Sequence, residues 1–220
     1  MKKSLNKERL VSEKTSNANE WDLRSSRPGL HAVLTTRWSE GECEKVNRLQ
    51  QVAILNVLPL VIGKTVLDFG CGIGRMLGCL IERGATTYGV DISEGMLARA
   101  SQAYPAAILS HIQPATPLPF PDETFDVVLA SWVMQHIIDD ELFARTLQDV
   151  ARTVKVAGSI VFVDGISDSP RVPTNSYVTV VRTLADYSRV LEPAFSCGEN
   201  RKLVCVEDSY CVMRWDKVIK

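Results

Sequence analysis

Apolar residues first settle into a pattern at Ser39. Ser39 and Glu42 have capping-box spacing, and Val46, Leu49, Ala53 and Val57 follow at helical intervals until Pro59. That spacing predicts a covering helix. From Thr65 onward short apolar runs alternate with helical stripes. Thr65–Phe69 reads as a buried strand, and the helix after Gly74 carries Met76, Leu77, Leu80 and Ile81 on one face before Gly84 stops it. Thr86–Val90 is a second strand ending at Asp91, and Ser93 caps a helix bearing Met96, Leu97 and Ala100. Ala106–Ser110 is a third, less apolar strand. Pro114, Pro117, Pro119 and Pro121 then impose a loop, because none can donate to a ladder and each restricts its predecessor. Phe125–Ala130 (FDVVLA) is a fourth strand. Asp139 opens a helix with Leu142, Phe143, Leu147, Val150 and Val154 inward, and Ser159–Val163 is the fifth strand.

The last part of the chain changes character. Thr183 and Asp186 repeat a capping-box start for a short helix to Leu191, after which Leu203–Val206 and Tyr210–Trp215 flank a turn at Glu207, Asp208 and Ser209. The whole predicts an α/β fold: a Rossmann-like, doubly wound, mostly parallel seven-stranded sheet with an antiparallel C-terminal hairpin. Residues 1–28 are polar, with too few apolar positions to bury a face, and are expected as an extension that orders only by docking, with a lid as its candidate role. Residues 29–220 are expected to form a single domain.

Composition narrows the partners. A net charge of -1 over 220 residues offers no basic field for a nucleic-acid backbone or an anionic membrane. No apolar h-region follows the basic start, and no run approaches the roughly 18 to 20 residues of a membrane span. Six cysteines without a CxxC pair suit free thiols and a reducing, cytoplasmic setting. No HxxxH or CxxC cluster calls for a metal. Whether the chain is a monomer or a homodimer stays open.

The candidate chemistry starts at VLDFGCGIGRM, residues 66–76, three glycines at alternate positions after the first strand. A dinucleotide loop needs GxGxxG so that a helix N-terminus meets pyrophosphate. Counted from Gly70 the third position is Arg75, and from Gly72 it is Leu77, so that fingerprint fails. Asp68 adds negative charge where phosphate would lie.

VLDFGCGIGR resembles instead the first motif of class I S-adenosylmethionine-dependent methyltransferases, hhDhGCGxGR with h apolar. YGVDISEGML (88–97) and LPFPDETFDVVLASWVMQHI (118–137) extend the resemblance, which covers about 63–165. It implies S-adenosylmethionine as cofactor. Gly70, Cys71 and Gly72 would pass its methionine portion, Asp68 would face its ammonium, and Arg75 would pair with its carboxylate. Asp91 would accept the ribose hydroxyls, and Ile92 and Met96 would wall the adenine. Ala115 and Thr116 would offer backbone contacts, and Ser131 joins the cofactor set. Two positions depart from the family: Pro114 stands where many members carry an acid for the adenine amine, and Lys155, Val156, Ala157 and Gly158 replace the usual KPGG.

Methyl transfer from a sulfonium needs positioning and desolvation more than a metal. His136 lies where the family's acceptor often sits, as a general base or orienting group, with packing as the alternative. Arg37, Trp38, Trp132, Gln135, Asp164 and Arg182 are candidate acceptor contacts. The expected acceptor is an O or N atom of a small metabolite. WVMQHIID (132–139) also resembles WVIGHLTD of methyltransferases of protein N-terminal α-amines, which makes a peptide amine a second reading. A non-catalytic cofactor-binding regulator or partner subunit is a third.

Overall fold

The computed structural model describes residues 18–168, 172–173, 179–205 and 208–218. Residues 1–17 of the polar extension, residues 169–171 and 174–178, Val206 and Glu207 of the expected hairpin, and residues 219–220 lie outside them.

Strands β1 (Thr65–Phe69), β2 (Thr86–Asp91), β3 (Ile108–His111), β4 (Phe125–Ser131) and β5 (Val154–Gly165) pair in parallel. Two further strands belong to the same sheet, β8 (Phe195–Cys205) and β9 (Asp208–Lys217). β9 runs antiparallel to both β5 and β8, giving the seven-stranded order β3-β2-β1-β4-β5-β9-β8. Between them lies a small two-stranded sheet of β6 (Val172–Pro173) and β7 (Val180–Val181), for which the sequence gives no periodic signal.

The helices are α1 (residues 18–25), α2 (Glu40–Leu55), α3 (Leu77–Glu82), α4 (Glu94–Ala103), α5 (Asp140–Thr153) and α6 (Leu184–Leu191). Strand alternation divides the core between two faces. Val66, Val127, Leu129, Val161 and Val163 point to one, under Ile54 of α2 and Leu80 of α3. Leu67, Val128, Ala130, Ile160 and Phe162 point to the other, under Phe143, Leu147 and Val150 of α5 and Tyr187 and Leu191 of α6. The doubly wound expectation therefore holds. Among the described residues no helix is long and apolar enough to cross a membrane.

The caps agree with the sequence. Ser39 and Thr183 form reciprocal capping boxes with Glu42 and Asp186, and Ser93 and Asp139 accept from Met96 N and Leu142 N. Two details differ. The inward face of α2 is Cys43, Val46, Gln50 and Ile54, whereas Leu49 is 47% exposed. Gln50 is drawn in because its Oε1 accepts from Arg75 Nη2 at 2.9 Å, which turns the helix toward the glycine loop. β5 begins at Val154, well before Ser159, directly where α5 ends.

The turn inside β5 explains how the chain manages without a second glycine. Ala157 takes the left-handed conformation with φ 60°, while Gly158 supplies close approach, since a Cβ there would lie 2.8 Å from Asp126 O. An alanine at positive φ costs about 1–2 kcal/mol, offset in part by the entropy a glycine would lose. Ala157→Gly is therefore expected to stabilise the fold by about 1 kcal/mol, a rise in Tm of roughly 2–4 °C in thermal denaturation. A lowered Tm would contradict the strain assigned to Ala157.

Candidate active site

The crevice opens at the carboxyl ends of β1 and β4, where the strand order reverses direction. It holds a cavity of about 800 Å³, within the size range of small-molecule sites. β1 ends in the glycine turn, whose Gly70 and Gly72 take φ 71° and 53°. Packing requires Gly70, where a Cβ would run into Val133, while Gly72 is set by its positive φ, with Val33 Cγ1 only a tight 3.2 Å from where its Cβ would lie. Gly70 N and Cys71 N donate to Val90 O at 2.8 and 3.0 Å, so the end of β2 holds the turn.

Asp91 completes that hold. Its Oδ2 accepts from Gly72 N at 2.8 Å and its Oδ1 from Ser93 N at 2.9 Å. Burial raises its pKa against these hydrogen bonds. Asp68 lies deeper, 2% exposed, and burial pushes its carboxyl up to about 7 even though the Arg75 guanidinium pulls it back. Arg75 in turn is depressed to about 10 by burial, with Asp68 opposing. Its guanidinium carbon sits 5.2 Å from the ring centroid of Trp132. Trp132 itself has φ 58°, an uncommon backbone state for a bulky residue, which marks the end of β4 as strained.

Asp68, Gly70, Cys71, Gly72, Arg75, Asp91, Ile92, Met96, Ala115, Thr116 and Ser131 all line this cavity. The candidate acceptor contacts Arg37, Trp38, Trp132 and Gln135 line it too, as does His136. Ser131 Oγ is buried and has no hydrogen-bond partner among the described residues. Thr116 Oγ1 donates to Gln113 O at 2.7 Å, within its own turn. Burial, with Arg24 nearby, lowers His136 to about 4, so the imidazole is neutral at pH 7.

Asp164 and Arg182 do not line the cavity. Asp164 is fully buried, accepting from Tyr187 Oη at 3.0 Å and Gln135 N at 3.3 Å, and burial raises it to about 7. Arg182 donates to Met134 O at 3.3 Å and Ile137 O at 2.7 Å, pairs with Asp140 at 3.2 Å, and covers the Phe143 ring at 3.9 Å. Both residues hold the loop that carries His136 in place from behind.

The sequence reading also missed lining residues. Trp21 and Arg24 enter from α1, with Trp21 edge-on to His136 at 5.1 Å between ring centroids and Arg24 4.7 Å from the Trp21 centroid. The signal available was a tryptophan inside an otherwise polar extension. Gln50, Ile112, Leu142 and Arg145 line other parts of the wall.

Residues 67–162 match the protein family described as "Methyltransferase domain". This segment, under half of the chain, is similar to that family, and the chain shares the fold of class I S-adenosylmethionine-dependent methyltransferases. A 2-methyl-6-phytyl-1,4-hydroquinone methyltransferase of Synechocystis sp. is 33% identical over 165 residues, 73% of this chain and 50% of that protein. A demethylmenaquinone methyltransferase of Symbiobacterium thermophilum is 34% identical over 131 residues, 56% of this chain and 49% of that protein. The chain thus spans about half the length of these curated relatives. Haemonchus contortus phosphoethanolamine N-methyltransferase 1, solved with phosphoethanolamine and S-adenosylhomocysteine, shares the fold with a TM-score of 0.76. It is 18% identical, covering 94% of this chain and 49% of that one.

Removing the Arg182 clamp takes a side-chain donor from Ile137 O and Met134 O, leaving Met134 O with Ile137 N alone, and uncovers Phe143. Arg182→Ala is expected to cost about 3 kcal/mol, or roughly 6–12 °C in Tm. A Tm within 1 °C of the wild type would return Arg182 to a role outside the fold.

Proposed function

We propose that the protein is an S-adenosylmethionine-dependent methyltransferase acting on an O or N atom of a small metabolite. The observation that carries this reading is the pairing of Asp68 with Asp91. Two buried carboxylates stand at the mouth of a glycine turn, inside one cavity of the methyltransferase-like fold.

The residues suit the cofactor. A carboxyl raised to about 7 by burial gains from an approaching ammonium, which favours its ionised form. Each Asp91 oxygen accepts one backbone N–H and keeps a second lone-pair site for a ribose hydroxyl. Ser131 Oγ is a buried polar atom awaiting a partner. The bound cofactor supplies a methyl group on a sulfonium, already activated for in-line displacement.

This chain's residues would do the rest. Ile112, Ile137, Ile138 and Leu142 exclude water from the cavity. Neutral His136 accepts a hydrogen bond from the acceptor's O–H or N–H and orients its lone pair. Trp21, Trp38 and Trp132 offer aromatic walls for a compact, flat acceptor. The hydroquinone, menaquinone and phosphoethanolamine in the relatives' names also favour a small acceptor. Free thiols on the described cysteines suit a cytoplasmic setting.

Isothermal titration with S-adenosylhomocysteine tests the cofactor site. Affinity is expected to rise between pH 6 and pH 8, because the ammonium needs ionised Asp68, and Asp68→Asn is expected to flatten that rise. Asp91→Ala should lose about 1–3 kcal/mol. His136→Ala should bind the cofactor product normally and lose turnover with labelled cofactor and a panel of phenols, hydroquinones and amines. No heat from folded wild-type protein would overturn the reading.

A further inference from the structure

α1 is short, with only Arg24 buried, yet it delivers Trp21 and Arg24 to the end of the cavity that holds His136. Its anchorage is specific. Asp22 Oδ1 accepts from Ser93 Oγ at 2.5 Å and from Gly95 N at 3.3 Å, which seats α1 on the N-terminus of α4. Arg99 of α4 donates to Ser25 O, Arg27 O and Gly29 O at 2.8–3.0 Å, taking up carbonyls at and beyond the end of α1. Gly95 leaves room for the contact: a Cβ there would stand 2.9 Å from Ser25 Cβ.

The same serine reaches the cofactor carboxylate. Ser93, fully buried, donates its backbone N–H to Asp91 Oδ1 at 2.9 Å while its Oγ caps α4 at Met96 N. Asp22 and Asp91 therefore flank one residue, and their like charges repel. Ribose hydroxyls donating to Asp91 would spread its charge and weaken that repulsion.

Resting on the proposed function, which puts a ribose on Asp91, we propose that Asp22 is a positioning residue that couples cofactor binding to the docking of α1. The acceptor end, with Trp21 and Arg24 set beside His136, is then held more firmly when the cofactor is in place. Methyl acceptors meet a firmer pocket after the donor has bound. Coupling is reciprocal: the factor by which cofactor binding favours docking equals the factor by which docking favours cofactor binding.

Hydrogen exchange of residues 18–25 in the full chain, with and without S-adenosylhomocysteine, measures the first factor. Titration of that ligand against Gly95→Ala and Asp22→Ala measures the second. Gly95→Ala displaces α1 and keeps Asp22, Ser93 and Asp91; Asp22→Ala removes the anchor at an exposed position. In the wild type the ligand should slow exchange of this segment about fivefold or more, within the usual range of coupling. Gly95→Ala should lose the slowing and bind the ligand more weakly by the same factor, and Asp22→Ala should also lose the slowing. Slowing below twofold in the wild type, or slowing retained in both variants, would overturn the coupling while the ligand still binds. Failure of the wild type to bind the ligand would overturn the proposed function and the coupling with it.

Discussion

The carboxylate of Asp91 is the joint on which the rest of the site depends. It closes the gap between the glycine turn and α4 by accepting Gly72 N and Ser93 N, two N–H groups in a nearly closed part of the fold. Left unmade, each such bond costs about 1–3 kcal/mol. With Val90 O holding Gly70 N and Cys71 N, the end of β2 fixes the turn that leaves β1. The turn then has one available course, through positive φ at Gly70 and Gly72, with Val133 packed where a side chain on Gly70 would be. The crevice at the strand-order reversal thus has a rigid floor.

Charge on that floor is held at a cost. Asp68 is buried and Arg75 half-buried, and the setting suits neither: burial raises the acid and lowers the base. Burying such groups costs stability, and the cost stands where another requirement keeps them there. Arg75 is steadied by Gln50 and by the Trp132 face, and Trp132 pays for its place with a left-handed backbone. On the proposed reading, a ligand ammonium beside Asp68 would turn these adverse placements into binding.

Much of this was legible in the residue pattern. The strands β1 to β5, the four capping residues and the aspartates at the ends of β1 and β2 follow from local spacing, because each is set by neighbours within a few positions, whereas β6 and β7 carry no periodic signal. What escaped depends on distant partners. Gln50 faces inward only because Arg75, 25 residues away, donates to it, and that bond displaces Leu49 to the surface. Asp164 and Arg182 are the charged residues a reader assigns to substrate, yet their partners are Tyr187 and the carbonyls of Met134 and Ile137, which no local pattern reveals. α1 is helical against α4 through Asp22 and Arg99, contacts spanning more than 70 residues.

The central claim is that Asp68 receives the ammonium and Asp91 the ribose hydroxyls of one S-adenosyl ligand. A crystal structure of the full chain with S-adenosylhomocysteine tests it most directly. The amino group of the ligand is expected within hydrogen-bond reach of Asp68, with both ribose hydroxyls on Asp91 and the adenine beside Ile92 and Met96. Ligand seated elsewhere, or with its amine turned away from Asp68, would contradict the account.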